Sequence, residues 1–255
     1  MFKRLKLMPK MIALFLVIGL LPMLLMLVLS LTMADEALTD GIESQISIFH
    51  KQQQDHLEDW FELQRNVAVT IAAARDVYDS LTSYYKDGRW QTEEEETIWE
   101  RRNKEILIPH LERVCTRYGF EMISIVNRQG IVFTGTDSNF LRTDLSNRDY
   151  FRKALAGQTN NSPIHRSSHS GKECVLIATP IYSSGNSGTI NGVMIVYLNV
   201  SQISAYLTDG LDGIGKTADA FLIDANQTLL TMPRFQEGME ILKSKVDTVA
   251  AEEAA

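Results

Sequence analysis

Only two cysteines occur, Cys115 and Cys174, which rules out a disulfide-rich scaffold. Their spacing fits no metal motif. An oxidising compartment would permit them to pair, but two buried, small apolar side chains are the plainer reading. The five histidines, His50, His56, His110, His165 and His169, include no pair at metal-ligand spacing on an expected helix. No Ser/His/Asp or Cys/His set can be assembled, so neither an enzyme nor a bound cofactor is expected. Basic residues are also scarce where they would matter. Four of the 25 lie in the first 34 residues, which hold no acidic group, leaving 21 basic against 32 acidic residues in the rest. That balance excludes a nucleic-acid binder, because phosphate attraction needs clustered Lys and Arg. No long apolar run occurs after Met33.

What is present begins with such a run. Residues Met11 to Met33 are apolar and uncharged, preceded by Lys3, Arg4, Lys6 and Lys10 and followed by Asp35 and Glu36. A helix of that length crosses a hydrocarbon core of roughly 30 Å. The basic flank places residues 1–10 in the cytoplasm and everything after residue 33 outside. Pro22 is tolerated in a membrane helix. A cleaved signal peptide has an apolar stretch of only about 7–15 residues, so an uncleaved, single-pass anchor in the cytoplasmic membrane is the better reading.

Residues 34–85 read as a stalk helix. Leu38, Ile42, Ile46, Phe49, Leu57, Trp60, Val67, Ile71, Ala74 and Tyr78 recur mostly in steps of three and four. A stripe that long exceeds what one small domain covers, so part of it is expected to meet the same helix of a second copy in a homodimer. Packing of the whole stripe on its own domain is the alternative. Residues 86–209 read as an α+β module. Thr92-Glu-Glu-Glu95 fits a capping box opening a helix towards Tyr118, with Pro109 kinking it. After Gly119 the period changes to strands. Phe120–Val126 and Ile131–Thr134 flank a turn at Asn127–Gly130, a helix follows at Ser146–Ala156, and Ser162–Ser167 and Glu173–Pro180 are strand-like. Gly192–Val200 has the composition of a central strand, and Val200–Leu207 of a helix. The sum is an antiparallel sheet of about five strands with helices on one face.

Residues 210–240 read as the incomplete start of a second such module, with strands at Thr217–Ile223 and Thr228–Met232, and 241–255 as a polar tail. Gly210-Leu-Asp-Gly-Ile-Gly-Lys-Thr217 spells a Walker A pattern, but a helix precedes it and a strand follows. A phosphate loop needs the reverse order, so no nucleotide is expected there.

One stretch carries a binding signature: Asp144-Leu-Ser-Asn-Arg-Asp-Tyr-Phe-Arg-Lys-Ala-Leu-Ala-Gly157. It sets Arg148, Tyr150 and Phe151 at the start of a short helix. One cation and two aromatics suit a small carboxylate. The same spacing also fits an amphipathic helix with surface arginines, with Leu145, Tyr150 and Leu155 towards a core.

The order of parts resembles the double Cache extracellular sensor domains of bacterial chemoreceptors, sensor kinases and diguanylate cyclases: an anchor, a stalk, a PAS-like module and the start of another. The resemblance covers about Asp35 to Phe235. Arg148-Asp-Tyr150-Phe151-Arg-Lys-Ala154 matches the pocket-helix pattern of the family's amino-acid-binding branch. It implies that Arg148 and its neighbouring aromatic grip a ligand carboxylate. The family continues with a Tyr and then an Asp that pairs with the ligand's ammonium. Here Ile164 and Arg166 take those places, or His165 if the register slips by one residue. An arginine there would repel an ammonium group, so an organic acid is expected rather than an ordinary amino acid.

The expected function is therefore an anchored extracytoplasmic sensor for a small carboxylate, the sensory part of a chemotaxis receptor. A histidine kinase or diguanylate cyclase sensor is the near alternative, and an anchored scaffold protein with a vestigial pocket the distant one. With no second span or output segment written in these residues, signalling inward needs either a longer chain or a partner.

Overall fold

A computed structural model describes residues 7–82, 85–86, 89–90, 93–168, 170–183, 188–209, 211–213, 215–235 and 238–247. The chain divides after His56 into two compact units.

The first unit is one stretch of helix α1 (Leu7–Ala72), which continues into the second unit. Within it, Leu14–Asp35 is long and apolar enough to cross a membrane. Its large side chains stand open, Phe15 to 83 % and Met26 to 74 %. Pro22 lies inside the helix.

The second unit is built on a six-stranded antiparallel sheet ordered β4–β3–β8–β7–β5, with β6 also on β7. The strands are β3 (Met122–Asn127), β4 (Val132–Gly135), β5 (Asn160–Asn161), β6 (His165–Arg166), β7 (Glu173–Tyr182) and β8 (Ile190–Asn199). The apolar run expected at Gly192–Val200 lies in β8 up to Asn199, with Val200 opening α6, and β8 is the middle of the sheet. A separate two-residue hairpin, β1 (Tyr85–Lys86) and β2 (Arg89–Trp90), occupies the break after the stalk.

Side chains alternate across the sheet with the strand period of two. Ile123, Ile125, Val175, Ile177, Met194, Val196 and Leu198 face one way. Met122, Val126, Leu176, Ala178, Val193, Ile195 and Tyr197 face the other. On the first face pack the end of α1, helix α2 (Arg75–Thr82), helix α4 (Ile108–Tyr118) and helix α6 (Val200–Thr208). On the second face lie Phe140, Leu145 and helix α5 (Asp149–Leu155). The expectation of helices on one face is thus corrected. β7 and β8 are apolar at both alternating positions, so both faces need cover.

Three local features differ from the sequence reading. The stalk is interrupted at Ala73–Ala74, where the chain turns so that α2 buries Val77 and Leu81. Neither Gly nor Pro marks the turn; tertiary packing sets it. The helix from Glu93 (α3, Glu93–Arg102) passes through a π-turn at Asn103–Leu107 into α4. Pro109 explains this, since it has no N–H for the carbonyl four residues back, and Ile108 N–H instead reaches Asn103 five residues back. Thr92 of the expected capping box lies outside the described residues. Third, the strands expected at Thr217–Ile223 and Thr228–Met232 reduce to isolated bridges, Ile223 with Leu229 and Thr228 with Lys245. The turn at Asp224 is as expected, its carboxylate accepting from the N–H groups of Asn226 and Thr228. Residues 241–247, read as the start of a polar tail, return onto this hairpin and bury Val246 beside Leu229.

Candidate functional site

The site lies on the second face. Its entry is shaped by the turn at Asn127–Gly130. Asn127 Oδ1 accepts from the N–H groups of Gln129 and Ile131. Gly130 adopts φ +87°, and a Cβ there would meet Ser146 at 2.6 Å. Only glycine therefore lets the following loop lie against the turn. Gly130 O then accepts from Leu145 N–H at 2.7 Å. The Asp144 carboxylate accepts from Ser146 N–H at 2.8 Å, and the Ser146 hydroxyl first and this N–H second hold its pKa below the ordinary value. This loop delivers Arg148 to the N-cap of α5.

Arg148 is exposed, and no carboxylate among the described residues pairs with it. Its charge acts on both Tyr150 and Tyr197. Tyr150 is half-buried, and burial raises its pKa against the pull of Arg148. Asn160 Nδ2 donates to Tyr150 O at 3.1 Å, fastening the start of α5 to β5, while Asn160 Oδ1 is buried without a donor. Phe151 is 2 % exposed and belongs to the core beneath α5.

The three residues expected on the next strand separate. Ile164 packs against the cluster on the opposite face, away from Arg148. Arg166 is exposed and donates from Nε and Nη2 to Glu173 Oε1, at 3.0 and 2.6 Å. His165 is cross-strand to Cys174, on the same face as Tyr197. Its Nδ1 donates to Pro163 O at 2.9 Å, leaving Nε2 to accept from the Cys174 thiol at 3.9 Å. The register thus sets His165 on the face of Tyr197, Ile164 against the other face and Arg166 in its pair with Glu173.

A cavity of about 570 Å³ adjoins this cluster. It lies among α4, the start of β3, the turn after β4, the start of β7 and the end of β8. Glu112, Glu121 and Asp137 supply its charge, and Cys115, Cys174 and Tyr197 part of its wall. Burial pushes both thiols up to about 11. Tyr197 is 4 % exposed and its pKa is raised, chiefly by burial. Its hydroxyl has no hydrogen-bond partner; Ser124 stands beside it and offsets the shift without completing a bond. Tyr197 was missed from sequence. A lone hydroxyl inside the apolar run Val193–Leu198 was the available signal, because buried polar atoms normally have partners.

The Walker-like segment contributes nothing to this site. Leu211–Gly213 is a single 3₁₀ turn with Leu211 buried, and Lys216–Ala220 is not helical; Gly210 and Ile214 lie outside the described residues. His169 also lies outside them.

No curated protein matches this sequence. Among solved structures, the fold is similar to the sensor domain of the Vibrio cholerae histidine kinase DctB, at 19 % identity and a TM-score of 0.52. That match covers 71 % of this chain and 64 % of the other, so the chain spans under two thirds of that domain. It is similar as well to the sensory domain of the Campylobacter jejuni chemoreceptor Tlp3 with isoleucine bound. Identity there is 18 % and the TM-score 0.53, covering 75 % of this chain and 70 % of the other. At such identities the likeness establishes the fold. The family model described as Cache domain matches residues 31–249, and this chain belongs to the Cache-domain family.

Proposed function

We propose that this chain is the extracytoplasmic sensory part of a membrane-anchored chemotaxis receptor, and that it binds a small carboxylate at Arg148. The observation that carries the reading is Arg148 itself. Its guanidinium has no carboxylate partner among the described residues, and it stands at the N-cap of α5 beside Tyr150. Bidentate pairing with a carboxylate is strong and directional, so a ligand acid group is the natural complement. Isoleucine in the Tlp3 domain, an amino acid with a carboxylate, supports the same ligand chemistry. The expected preference for an organic acid depends on Arg166 facing the ligand. With Arg166 held by Glu173, His165 is the strand residue that faces this side, and the preference for organic over amino acids is left to measurement.

The anchor rests on Leu14–Asp35, whose open apolar side chains suit lipid. The dimer rests on Leu38, Ile42 and Ile46, which recur every four residues along α1 and stand 49–65 % exposed. The DctB domain supports a histidine-kinase output as the second reading.

Thermal unfolding of the full chain in detergent, against a panel of organic acids and amino acids, tests the proposal. A ligand at 100 times its dissociation constant adds about 2.7 kcal/mol. Arg148→Ala is expected to abolish that increment while leaving the unliganded melting temperature in place. A full ligand shift in Arg148→Ala removes Arg148 from the site.

A further inference from the structure

We infer that Asn226 is an attachment site for an N-linked glycan, with a lipid-pyrophosphate-linked oligosaccharide as the donor. Three Asn-X-Ser/Thr triplets without a middle proline occur in the chain: Asn160-Asn-Ser162, Asn199-Val-Ser201 and Asn226-Gln-Thr228. Such a triplet is an acceptor in a surface loop outside the cytoplasm, where a transferase reaches both the asparagine amide and the hydroxyl two residues on. All three lie beyond the apolar helix Leu14–Asp35, on the outer side in the orientation proposed above. Their surroundings sort them.

Two of the triplets are closed. Asn160 lies in β5, paired with Ala178, and its Nδ2 donates to Tyr150 O and Gln158 O at 3.1 and 2.9 Å. Both amide hydrogens of that nitrogen are therefore used. The Ser162 hydroxyl is buried, donating to Pro163 O and accepting from Leu176 N–H. Asn199 caps α6, its Oδ1 accepting from Ser201 N–H at 2.9 Å. Its middle residue Val200 is 1 % exposed, so a transferase could grip this triplet only by pulling Val200 out of the core.

The third is open. Asn226 is exposed at the tip of the turn Asp224–Gln227, where Gln227 N–H donates to Asp224 O at 2.9 Å and Gln227 turns the chain at φ +61°. The Asp224 carboxylate accepts from the N–H groups of Asn226 and Thr228, both at 2.8 Å. The Thr228 hydroxyl and the Asn226 carboxamide stand beside the same carboxylate. One acidic group thus gathers on one side of the turn the amide and the hydroxyl that a transferase must recognise together. Asp224 also sets this triplet apart chemically. It places a carboxylate two residues before the asparagine, where the other two triplets have Gln158 and Tyr197. Isolated bridges, Ile223 with Leu229 and Thr228 with Lys245, hold this hairpin in place of a strand ladder. A local opening that admits the triplet to an enzyme therefore breaks few bonds.

In the transfer, the Asn226 carboxamide nitrogen bonds to the anomeric carbon of the sugar. The bond from that carbon to the lipid pyrophosphate breaks, the pyrophosphate leaves with the electron pair, and one amide proton passes to solvent. The test incubates the purified full chain in detergent with a bacterial oligosaccharyltransferase and a lipid-pyrophosphate-linked oligosaccharide, and reads intact mass and the modified peptide by mass spectrometry. One glycan per chain is expected, on Asn226. Asn226→Gln and Thr228→Val are each expected to abolish it, and Thr228→Ser to retain it, with the melting temperature of each variant confirming that the chain is folded. Asn199→Asp, which keeps the capping oxygen of α6, is expected to leave the modification unchanged. An unmodified chain, a glycan on Asn160 or Asn199, or full modification of Thr228→Val overturns the inference. The same chain made in cells that carry the transferase reads its placement. A glycan added in detergent but never in cells would uphold the acceptor and overturn the extracytoplasmic orientation, so the two readings fail separately.

Discussion

The two faces of the central sheet are built from the same strands and do opposite work. The face under α1, α2, α4 and α6 is closed by apolar side chains, with Ile123, Ile125, Ile177, Met194, Val196 and Leu198 wholly buried. The face under α5 carries an equally apolar centre but is interrupted by Ser124, Tyr197 and Cys174, with Arg148 and His165 at its edge. One face holds the end of α1, from Leu57 on, to the sheet; on the other the Tyr197 hydroxyl has no protein partner. The difference teaches where to look for a ligand in such a fold: among the described residues the closed face leaves Gln64 Oε1 of α1 unpartnered within its packing, whereas the other face leaves the Tyr197 hydroxyl unpartnered beside a cavity.

The sharpest way to break this contrast is a pair of substitutions. Ile177→Ala empties a fully buried site on the closed face and is expected to cost about 2–5 kcal/mol. Tyr197→Phe, equally deep on the other face, is expected to cost nothing, because the hydroxyl it removes has no partner. Urea unfolding of the full chain in detergent reads both. A Tyr197→Phe variant as damaged as Ile177→Ala would show that the second face is sealed in the same manner as the first.

A smaller effect is expected at the turn that supports the open face. Gly130→Ala meets both a left-handed φ of +87° and a 2.6 Å approach to Ser146. The expected loss is about 1 kcal/mol or more. It should also weaken carboxylate binding, because the loop that carries Arg148 rests on this turn. Intact binding in a destabilised Gly130→Ala variant would uncouple the turn from the site.

Much of the second unit was legible in the sequence. The composition of Gly192–Val200 marked the central strand, Asn127–Gly130 the hairpin and Pro109 the disturbed helix, since each is a local rule acting locally. What escaped depends on distant contacts. The turn at Ala73–Ala74 exists because Val77 and Leu81 have a core to enter, and nothing in those alanines announces it. The register at His165 is fixed by its pairing with Cys174, nine residues beyond it, and this pairing, not the local sequence, decides which of Ile164, His165 and Arg166 shares a face with Tyr197. The N-cap place of Arg148 was readable because the helix start and its flanking residues are contiguous. Tyr197 was not, because its lack of a partner exists only once the sheet has formed.

The two cysteines give the finest comparison of the faces. Cys115 packs against the closed-face cluster and Cys174 belongs to the open one, yet both line the cavity and burial is the first cause of both shifts, from 9.0 to about 11. In the unfolded chain these thiols ionise near their ordinary value, whereas in the folded chain they hold their protons to about pH 11. The folded state therefore binds more protons across that window, and stability is expected to fall as pH rises from about 9 to about 11. Cys115→Ala together with Cys174→Ala should flatten that decline. Reaction with iodoacetamide makes the comparison direct, because the thiolate is the reacting form. Both thiols are expected to react slowly near neutral pH, and their rates should rise together with pH until about 11. If Cys174 instead reacts early while Cys115 follows this course, the open face is wetter around β7 than its burial implies, and the two faces differ in hydration as well as in chemistry.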